Sequence, residues 1–563
     1  MNRDRVARWG PPSLLVLLLS FGAFAYFFRV GDVPSASGDE GNWMAMGHRF
    51  YLGLPTRLGP DSRFVTTAFA RMISLAYRFG GVTIGAARSV LGVSVLVGLV
   101  AIYAVSARMK SRALGLTLCA LLATHPWTVW WSRSVVVPYA IALMTAVLGP
   151  LAWVLATSAY REPAADKRAV WKRHLALIAA GQILVSALHF TPFGLLPLLA
   201  CALWSLAARD GRASLRTLGP WLSLGAVIAH AIPILMDVFS VVHQSNPSPR
   251  FVDFDRRWRN FVRSIVDGYS GEQTLRDYVG DNAYVALGVT PSRAAVVALV
   301  IAALGVAFVK RRDGEGTLSD SARSLRNFAP LYFFVALLFF PLVLAPARDW
   351  WLATIDSERY FFALLAPGAL LVATLVLSDK RAGTVMAALL AGYFALGPNL
   401  RAARYFASGG GPDHGYYSAH RGGGYRGYKV MRGSRTVTTA IHEACRDVAR
   451  GEPVTIAFND YAFHPVRVLI RVKPDHNITS VYIRDAALPQ GRLLCVPVWP
   501  EAMFASGHIP GSAVQQNRWM RQYALQRMDE SRRIAEWSQP NGAPLLDLYV
   551  GRVSASEAGH RPQ

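Results

Sequence analysis

Residues 83–107 read TIGAARSVLGVSVLVGLVAIYAVSA. A helix that crosses the hydrocarbon core of a bilayer needs about 20 mostly apolar residues, and this stretch supplies them without a break. Working outward, similar blocks run near 13–30, 114–131, 135–158, 174–190, 192–207, 218–241, 294–309, 327–345, 360–378 and 382–398. Together they predict about eleven transmembrane helices. The first block follows Arg3, Arg5 and Arg8 as a signal peptide would. It is long, and no small-residue cleavage site clearly follows, so it reads as a span.

Composition agrees with the blocks. The chain has 563 residues, of which 53% are hydrophobic and only 17% charged; a soluble domain carries about 25% charged residues. Disordered, collagenous and small disulfide-scaffold classes are excluded on the same grounds. The 59 basic and 35 acidic residues leave a net charge of +24. The basic runs are short and sit at the ends of apolar blocks, as they do in cytoplasmic loops, and this argues against nucleic acid as a partner. They fall at Arg3/Arg5/Arg8, Arg108/Lys110/Arg112, Lys167/Arg168/Lys172/Arg173, Arg209/Arg212/Arg216, Lys310/Arg311/Arg312 and Lys380/Arg381. With eleven spans and the N-terminus inside, all of them are cytoplasmic.

Three outer segments follow from that orientation: 31–82, 242–292, and the tail from about 399 to 563. The expected organisation is a membrane domain over 1–398, a Gly/Tyr-rich linker over 399–434 and an extracytoplasmic α/β domain over 435–563. The linker contains ASGGGPDHGYYSAHRGGGYRGY at 407–428. The tail then reads as a helix near 436–450 and short β-rich runs at 454–458, 466–472, 478–483 and 493–498. A helix over about 512–535 and a last strand at 545–553 complete it. The predicted fold class is thus an α-helical polytopic membrane protein with a C-terminal extracytoplasmic α/β domain, in a plasma (inner) membrane of bacterial type. Cys119 and Cys201 fall in apolar blocks and read as buried thiols. Cys445 and Cys495 fall in the tail. Both a disulfide between them and two unpaired thiols are open, and no CxxC suggests a zinc ribbon.

Chemistry concentrates in the outer segments. Gly38-Asp39-Glu40 lies just beyond the first span. Two adjacent carboxylates at a membrane boundary are costly unless solvated or paired. They fit a solvated loop, a helix N-terminus that suits acids, or a working site. The following GNWMAMGHRFYLGLP can form an amphipathic helix with Trp43, Met46, Phe50 and Leu54 on one face, lying in the interface plane. Residues 250–269 do the same with Phe251, Phe254, Trp258, Phe261, Ile265 and Tyr269, interleaved with arginines, and read foremost as a snorkelling surface helix. Two further constellations sit at outer span ends: His125-Pro126-Trp127 through Trp131-Ser132-Arg133 to Tyr139, and Asp356-Ser357-Glu358-Arg359-Tyr360. Trp, Tyr and Arg serve as interfacial anchors; a guanidinium also matches phosphate oxygens in fork geometry. His189 stands at an outer turn, where packing and cavity lining are both open. The HExxH, dinucleotide-loop and GxSxG patterns are absent.

Taken together these residues resemble the GT-C superfamily of integral-membrane glycosyltransferases, in particular the branch that holds protein O-mannosyltransferases and the aminoarabinose transferases of lipid A. The likeness rests on Asp39-Glu40 opening the first outer loop, on Ser132-Arg133 with Tyr139 where the fourth span begins, and on Glu358-Arg359-Tyr360 opening a late span. Val135, Val136 and Val137 stand where the second signature commonly carries another arginine. The resemblance implies a polyprenyl-phosphate sugar donor reached from the outer leaflet and membrane lipids around it. The acceptor implied is a hydroxyl or amine on a glycan, lipid or protein. It implies Asp39 as general base, Glu40 in loop or acceptor support, and Arg359 and Arg133 on the donor phosphate. Tyr139, Tyr360, His189 and Asp356 support the site. No cofactor is required, and a bound divalent cation remains compatible. Two other readings of the same pattern are a multi-spanning lipid or sugar transporter or flippase, and a non-catalytic envelope-assembly protein.

Overall fold

The structure is a computed structural model. It describes residues 3–31, 38–54, 67–135, 138–161, 166–208, scattered positions between 212 and 232, 268–271, 318–344, 361–400, 403, 437–449, 451–458, 477–482, 490–498, 511–526, 528–538 and 544–554.

The first part is helical. Its elements are α1 (Arg3–Phe27), α2 (Gly38–Tyr51), α3 (Thr67–Gly80), α4 (Ile84–Arg108), α5 (Arg112–Thr124), α6 (Pro126–Trp131) and α7 (Tyr139–Ser158). Then come α8 (Lys167–Ser186), α9 (Leu195–Ala207), α10 (Asp320–Leu344), α11 (Phe362–Ser378) and α12 (Lys380–Phe394). By length and composition, α4 and α7 are long and apolar enough to cross a membrane, and α5, α9, α11 and the Pro11–Phe27 part of α1 are shorter apolar helices. Nine of the predicted blocks coincide with described helices. The blocks at 218–241 and 294–309 lie largely or wholly outside the described residues.

Two blocks differ in detail. The predicted 114–131 helix is two helices that meet at His125, whose backbone is extended at φ −64° and ψ 128°. Pro126 is the reason: a residue before proline is driven out of the α region, and proline then suits the first position of a new helix. The His125 Nδ1 caps α6 by accepting from the Trp127 amide at 3.2 Å. At 382–398 the helix closes with a π turn over Ala395–Asn399.

α3 is a helix that the apolar blocks do not include. Phe69, Ile73 and Tyr77 recur on one buried stripe and pack on α2. Trp43 meets Phe69 with ring centroids 5.4 Å apart, and the Tyr77 hydroxyl donates to the Met44 carbonyl at 3.4 Å. The buried line of α2 is therefore Trp43, Met44, Gly47 and His48. The predicted face is corrected: Met46 and Phe50 are half-buried and Leu54 is exposed. A facing helix, α3, sets the buried face.

The helices run back and forth between two ends. At one end Ser319 Oγ donates to the Met109 carbonyl at 2.7 Å and Arg161 pairs with Asp320 at 2.8 Å. The described basic clusters at 108–112, 167–173 and 380–381 belong to this end by helix direction. The opposite end gathers the C-termini of α1 and α5 with the N-termini of α4, α7 and α11. α11 is buried along its whole length between them.

The tail contains a five-stranded sheet in the order β2-β1-β3-β5-β4. The strands are β1 (Val454–Phe458), β2 (Ile478–Tyr482), β3 (Leu493–Val498), β4 (Met528–Ser538) and β5 (Pro544–Val553). β1 is parallel to β2 and β3, whereas β5 is antiparallel to β3 and β4. Helix α13 (Val437–Ala449) packs on the face of Val454, Ile456, Cys495, Leu546, Leu548 and Val550. Helix α14 (Gly511–Gln526) packs on the other face, with Leu494, Val496, Val498 and Tyr549. The expected helix over 512–535 is corrected: it ends at Gln526, and Met528–Ser538 is a strand. That stretch, MDESRRIAEWS, is charged, and its pairing with β5 overrides the local preference. The expected strand at 466–472 lies outside the described residues.

Candidate functional site

The site is built around the exit of α1. Past Phe27 the chain turns through Arg29, a non-glycine residue at φ 52°, in the left-handed region. The last carbonyls of a helix have no partner within it and carry its negative end. Two arginines meet them. Arg133 donates from Nη1 to the Ala25 carbonyl and from Nη2 to the Phe28 carbonyl, each at 2.6 Å. Arg88 donates from Nη1 to the Val30 carbonyl at 2.9 Å. Both arginines are fully buried. Burial first, and then the neighbouring charges of Arg88 and Arg29, pulls the Arg133 guanidinium down to about 9, still protonated at neutral pH. Arg88 and Arg29 thus both lie within electrostatic reach of Arg133 at the point where the chain leaves α1.

Asp39 and Glu40 open α2, eight positions beyond the described α1 exit at Gly31. Acids suit the first turn of a helix. Their backbones belong to α2; their side chains, like that of His189 in the 3-10 turn Ala187–His189, are outside what is described. Arg359, Tyr360, Asp356 and Glu358 lie outside the described residues. Phe361, the next residue, is placed at the same end: its ring meets Tyr269 edge-on at 4.9 Å and stacks on His125 at 6.1 Å.

Tyr139, the first residue of α7, is almost wholly buried. Its ring stacks on Phe362 at 5.6 Å and meets Trp131 edge-on at 5.6 Å. Trp127 and Phe193 also contact Phe362. Trp127 and Trp131 are fully buried, which corrects the interfacial-anchor reading for these two. They tie α6 to α7 and α11. Of the predicted surface helix over 250–269, only Gly268 and Tyr269 are described. The Tyr269 hydroxyl donates to the Leu364 carbonyl at 2.6 Å, so Tyr269 is docked on α11. Just beyond, a Cβ on Gly271, at φ 71°, would strike the Pro126 ring.

Sequence reasoning missed Arg88 and Asn399, whose side-chain amide donates to the Thr124 carbonyl, and read Tyr269 only as part of a surface helix. Arg88 carried a usable signal, since a charge inside an apolar span marks a functional position by default. Asn399 carried none, and the partner of Tyr269 was not legible, because the partners lie 275 and 95 positions away. Among the described residues no group of three or more His, Cys, Asp or Glu side chains gathers as a metal site.

No protein-family model matches this chain, and no curated protein matches it. Solved structures do. The chain is similar to ArnT from Cupriavidus metallidurans bound to undecaprenyl phosphate, at 13% identity over 97% of this chain and 99% of that one, with a TM-score of 0.48. It is also similar to the oligosaccharyltransferase of Archaeoglobus fulgidus in complex with zinc and sulfate, at 13% identity over 83% of this chain and 62% of that one, with a TM-score of 0.43. A third is the same organism's oligosaccharyltransferase AglB with an inhibitory peptide and a dolichol-phosphate, at 13% identity, 82% and 64% coverage and a TM-score of 0.37. Likenesses at this identity, with TM-scores below 0.5, decide neither activity nor site residues.

Proposed function

We propose that the chain is a membrane-embedded glycosyltransferase of GT-C type. It moves a sugar from a polyprenyl-phosphate donor to an acceptor hydroxyl or amine on the outer face of the membrane, with inversion. The observation that carries this reading is the arginine-held exit of α1. Asp39-Glu40 begin α2 shortly after a turn that two buried arginines hold. The segregation of basic loops at the opposite end of the helices supports the outward direction.

The chemistry fits those residue types. The leaving group is a phosphate, already a stable anion, so no general acid has to protonate it, and the two-carboxylate arrangement of glycosidases is not needed. One base and cationic stabilisation suffice. Asp39 takes the acceptor proton as the acceptor attacks the anomeric carbon, and Glu40 orients the loop or the acceptor. Arg359 holds the donor phosphate in fork geometry. Arg133 adds positive field while its guanidinium braces α1. Tyr139, Tyr360, His189 and Asp356 shape the surroundings. The acceptor is a glycan, lipid or protein of the cell envelope, and the tail domain sits outside the membrane near it. The mechanism needs no cofactor.

The test is sugar transfer in membranes that hold wild type or Asp39→Asn at matched levels, across a panel of polyprenyl-phosphate sugars. Loss of transfer with intact expression supports the base. Transfer that ignores Asp39→Asn overturns it. A transporter or an assembly scaffold predicts no transfer from any donor by either protein.

A further inference from the structure

The end of the helices opposite the α1 exit carries a charged cluster of its own. Arg161, in the turn after α7, and Arg323, in the first turn of α10, close on one carboxylate oxygen. Asp320 Oδ1 lies 2.8 Å from Arg161 Nη1 and 3.3 Å from Arg323 Nη1. Arg161 Nη2 also donates to Ser324 Oγ at 3.4 Å. Arg326, which is buried, follows on the next turn of α10. Ser319 ties the corner to the Met109 carbonyl, beside Arg108, Lys110 and Arg112, which are exposed. The stretches around these contacts, 108–112, 161–173 and 310–326, hold thirteen basic and five acidic residues. The local carboxylates therefore leave a clear excess of positive charge.

Past the arginines α10 turns apolar. One of its faces carries Arg323, Asn327, Leu331, Phe334 and Leu338, three and four positions apart, and none of the five is buried. Phe334 is 62% exposed and Leu338 44%. Phe334 stands about 16 Å along the helix from Arg323 at 1.5 Å per residue, roughly half of a 30 Å hydrocarbon core. This face so presents cations at headgroup depth and hydrocarbon beneath them.

We propose that this face holds an anionic glycerophospholipid, its phosphate at Arg161 and Arg323 and an acyl chain along Leu331, Phe334 and Leu338. Guanidinium groups match phosphate oxygens in fork geometry, and the grip of both arginines on one Asp320 oxygen shows that they converge on an anion. Their side chains are 30% and 32% exposed, so a headgroup reaches them from the membrane boundary. A zwitterionic lipid would bring an ammonium into a corner already rich in cations, which disfavours it. Basic sites between helices at the cytoplasmic end bind anionic headgroups for the same reason. The inference rests on the membrane placement of α10 and not on sugar transfer, whose residues gather at the opposite end. The bound lipid bridges the turn after α7 to α10 and adds to the stability of the helical part.

The test uses the full chain, delipidated in mild detergent, with palmitoyl-oleoyl phosphatidylglycerol or the matching phosphatidylcholine added. Native mass spectrometry reads retained lipid, and thermal unfolding reads the midpoint. Wild type should retain phosphatidylglycerol over phosphatidylcholine and unfold at a higher temperature with it. Arg161→Gln combined with Arg323→Gln should weaken that retention about tenfold or more, as loss of a hydrogen bond to a charged group does. Arg381→Gln, in the α11–α12 turn at the same end, should leave it intact. Asp320→Asn separates a lipid site from a plain ion pair. It removes the competing carboxylate, so retention should hold or rise even if the lipid-free midpoint falls. Equal retention of the two lipids by wild type overturns the proposal. An equal loss in Arg381→Gln, or a loss in Asp320→Asn as large as in the double variant, overturns it as well. Inorganic phosphate that raises the midpoint as far as phosphatidylglycerol does would overturn the lipid in favour of a free anion.

Discussion

The Arg133 guanidinium donates to the Ala25 carbonyl at 2.6 Å and so ties the turn before α7 to the last turn of α1, across 108 positions of sequence. Its second nitrogen takes the Phe28 carbonyl. Arg133→Ala leaves two carbonyls short of a donor, and each buried loss costs about 1–3 kcal/mol. Lysine offers a point charge without the fork. Thermal unfolding in detergent should therefore rank wild type above Arg133→Lys and Arg133→Lys above Arg133→Ala. Equal midpoints for all three would show that the brace does not bear on stability.

Asp39 and Glu40 should separate in kinetics. A positioned base contributes about 10²- to 10⁴-fold, so Asp39→Asn is expected to lose that much in kcat with little change in donor KM. Glu40→Gln is expected to fall less than tenfold. Reversed losses would make Glu40 the base.

Arg359 is assigned to the donor phosphate. A hydrogen bond to a charged group contributes about 1.5–3 kcal/mol, so Arg359→Ala should raise the donor KM by roughly 10- to 150-fold. Arg359→Lys should recover part of it. An unchanged KM for the polyprenyl-phosphate donor would remove Arg359 from the phosphate site.

Gly47 sets the approach of α2 to α3. A Cβ there would collide with the Ile73 side chain. Overpacking of this kind costs about 1–3 kcal/mol. Gly47→Ala should lower both the unfolding midpoint and transfer, because Asp39 stands in the first turn of α2. Adding Ile73→Ala should restore much of both. Failure of that second change to rescue would place the clash elsewhere.

The tail carries a pH-dependent element. Asp547 and Glu536 stand opposite each other on β5 and β4, and Arg533 bridges them at 3.4 and 3.1 Å. Burial raises the Asp547 carboxyl above its ordinary value, against the pull of Arg533 and with the help of Glu536. A carboxyl raised on folding binds its proton more tightly in the folded state. Its ionisation therefore opposes folding as pH rises through the folded pKa, and the penalty is absent below the unfolded one. Amide exchange across β4 and β5 in the full chain should slow as pH falls into the carboxylate range, after correction for intrinsic rates. That trend should vanish in Asp547→Asn. A trend that survives the substitution would assign the titration to another group.

Much of the fold was legible because burial in helices and strands leaves periodic apolar traces. The 83–107 block became Ile84–Arg108, and VTIAF and LLCVPV became β1 and β3 at their predicted bounds. α3 was not legible from block length, since a 14-residue amphipathic helix is too short and too polar to pass for a span. Its Phe69–Ile73–Tyr77 spacing was the signal. β4 was misread because its charges sit well on a helix and only β5 makes it a strand. At the site, Asp39-Glu40 and Arg133 stood out by residue type, but the partner of Arg133 did not.

The sequence alone determined the helical character of the described residues among the first four hundred, the sorting of their basic clusters to alternate helix ends, and the α/β alternation of the described tail. Each is a one-dimensional pattern written by hydrophobic periodicity and charge. Only the tertiary structure decided that Arg88 and Arg133 close on the carbonyls at the α1 exit and that Tyr139 stacks on Phe362. Those pairings join positions 58 to more than 200 apart, and their energy comes from directional contacts that exist only after the helices have packed.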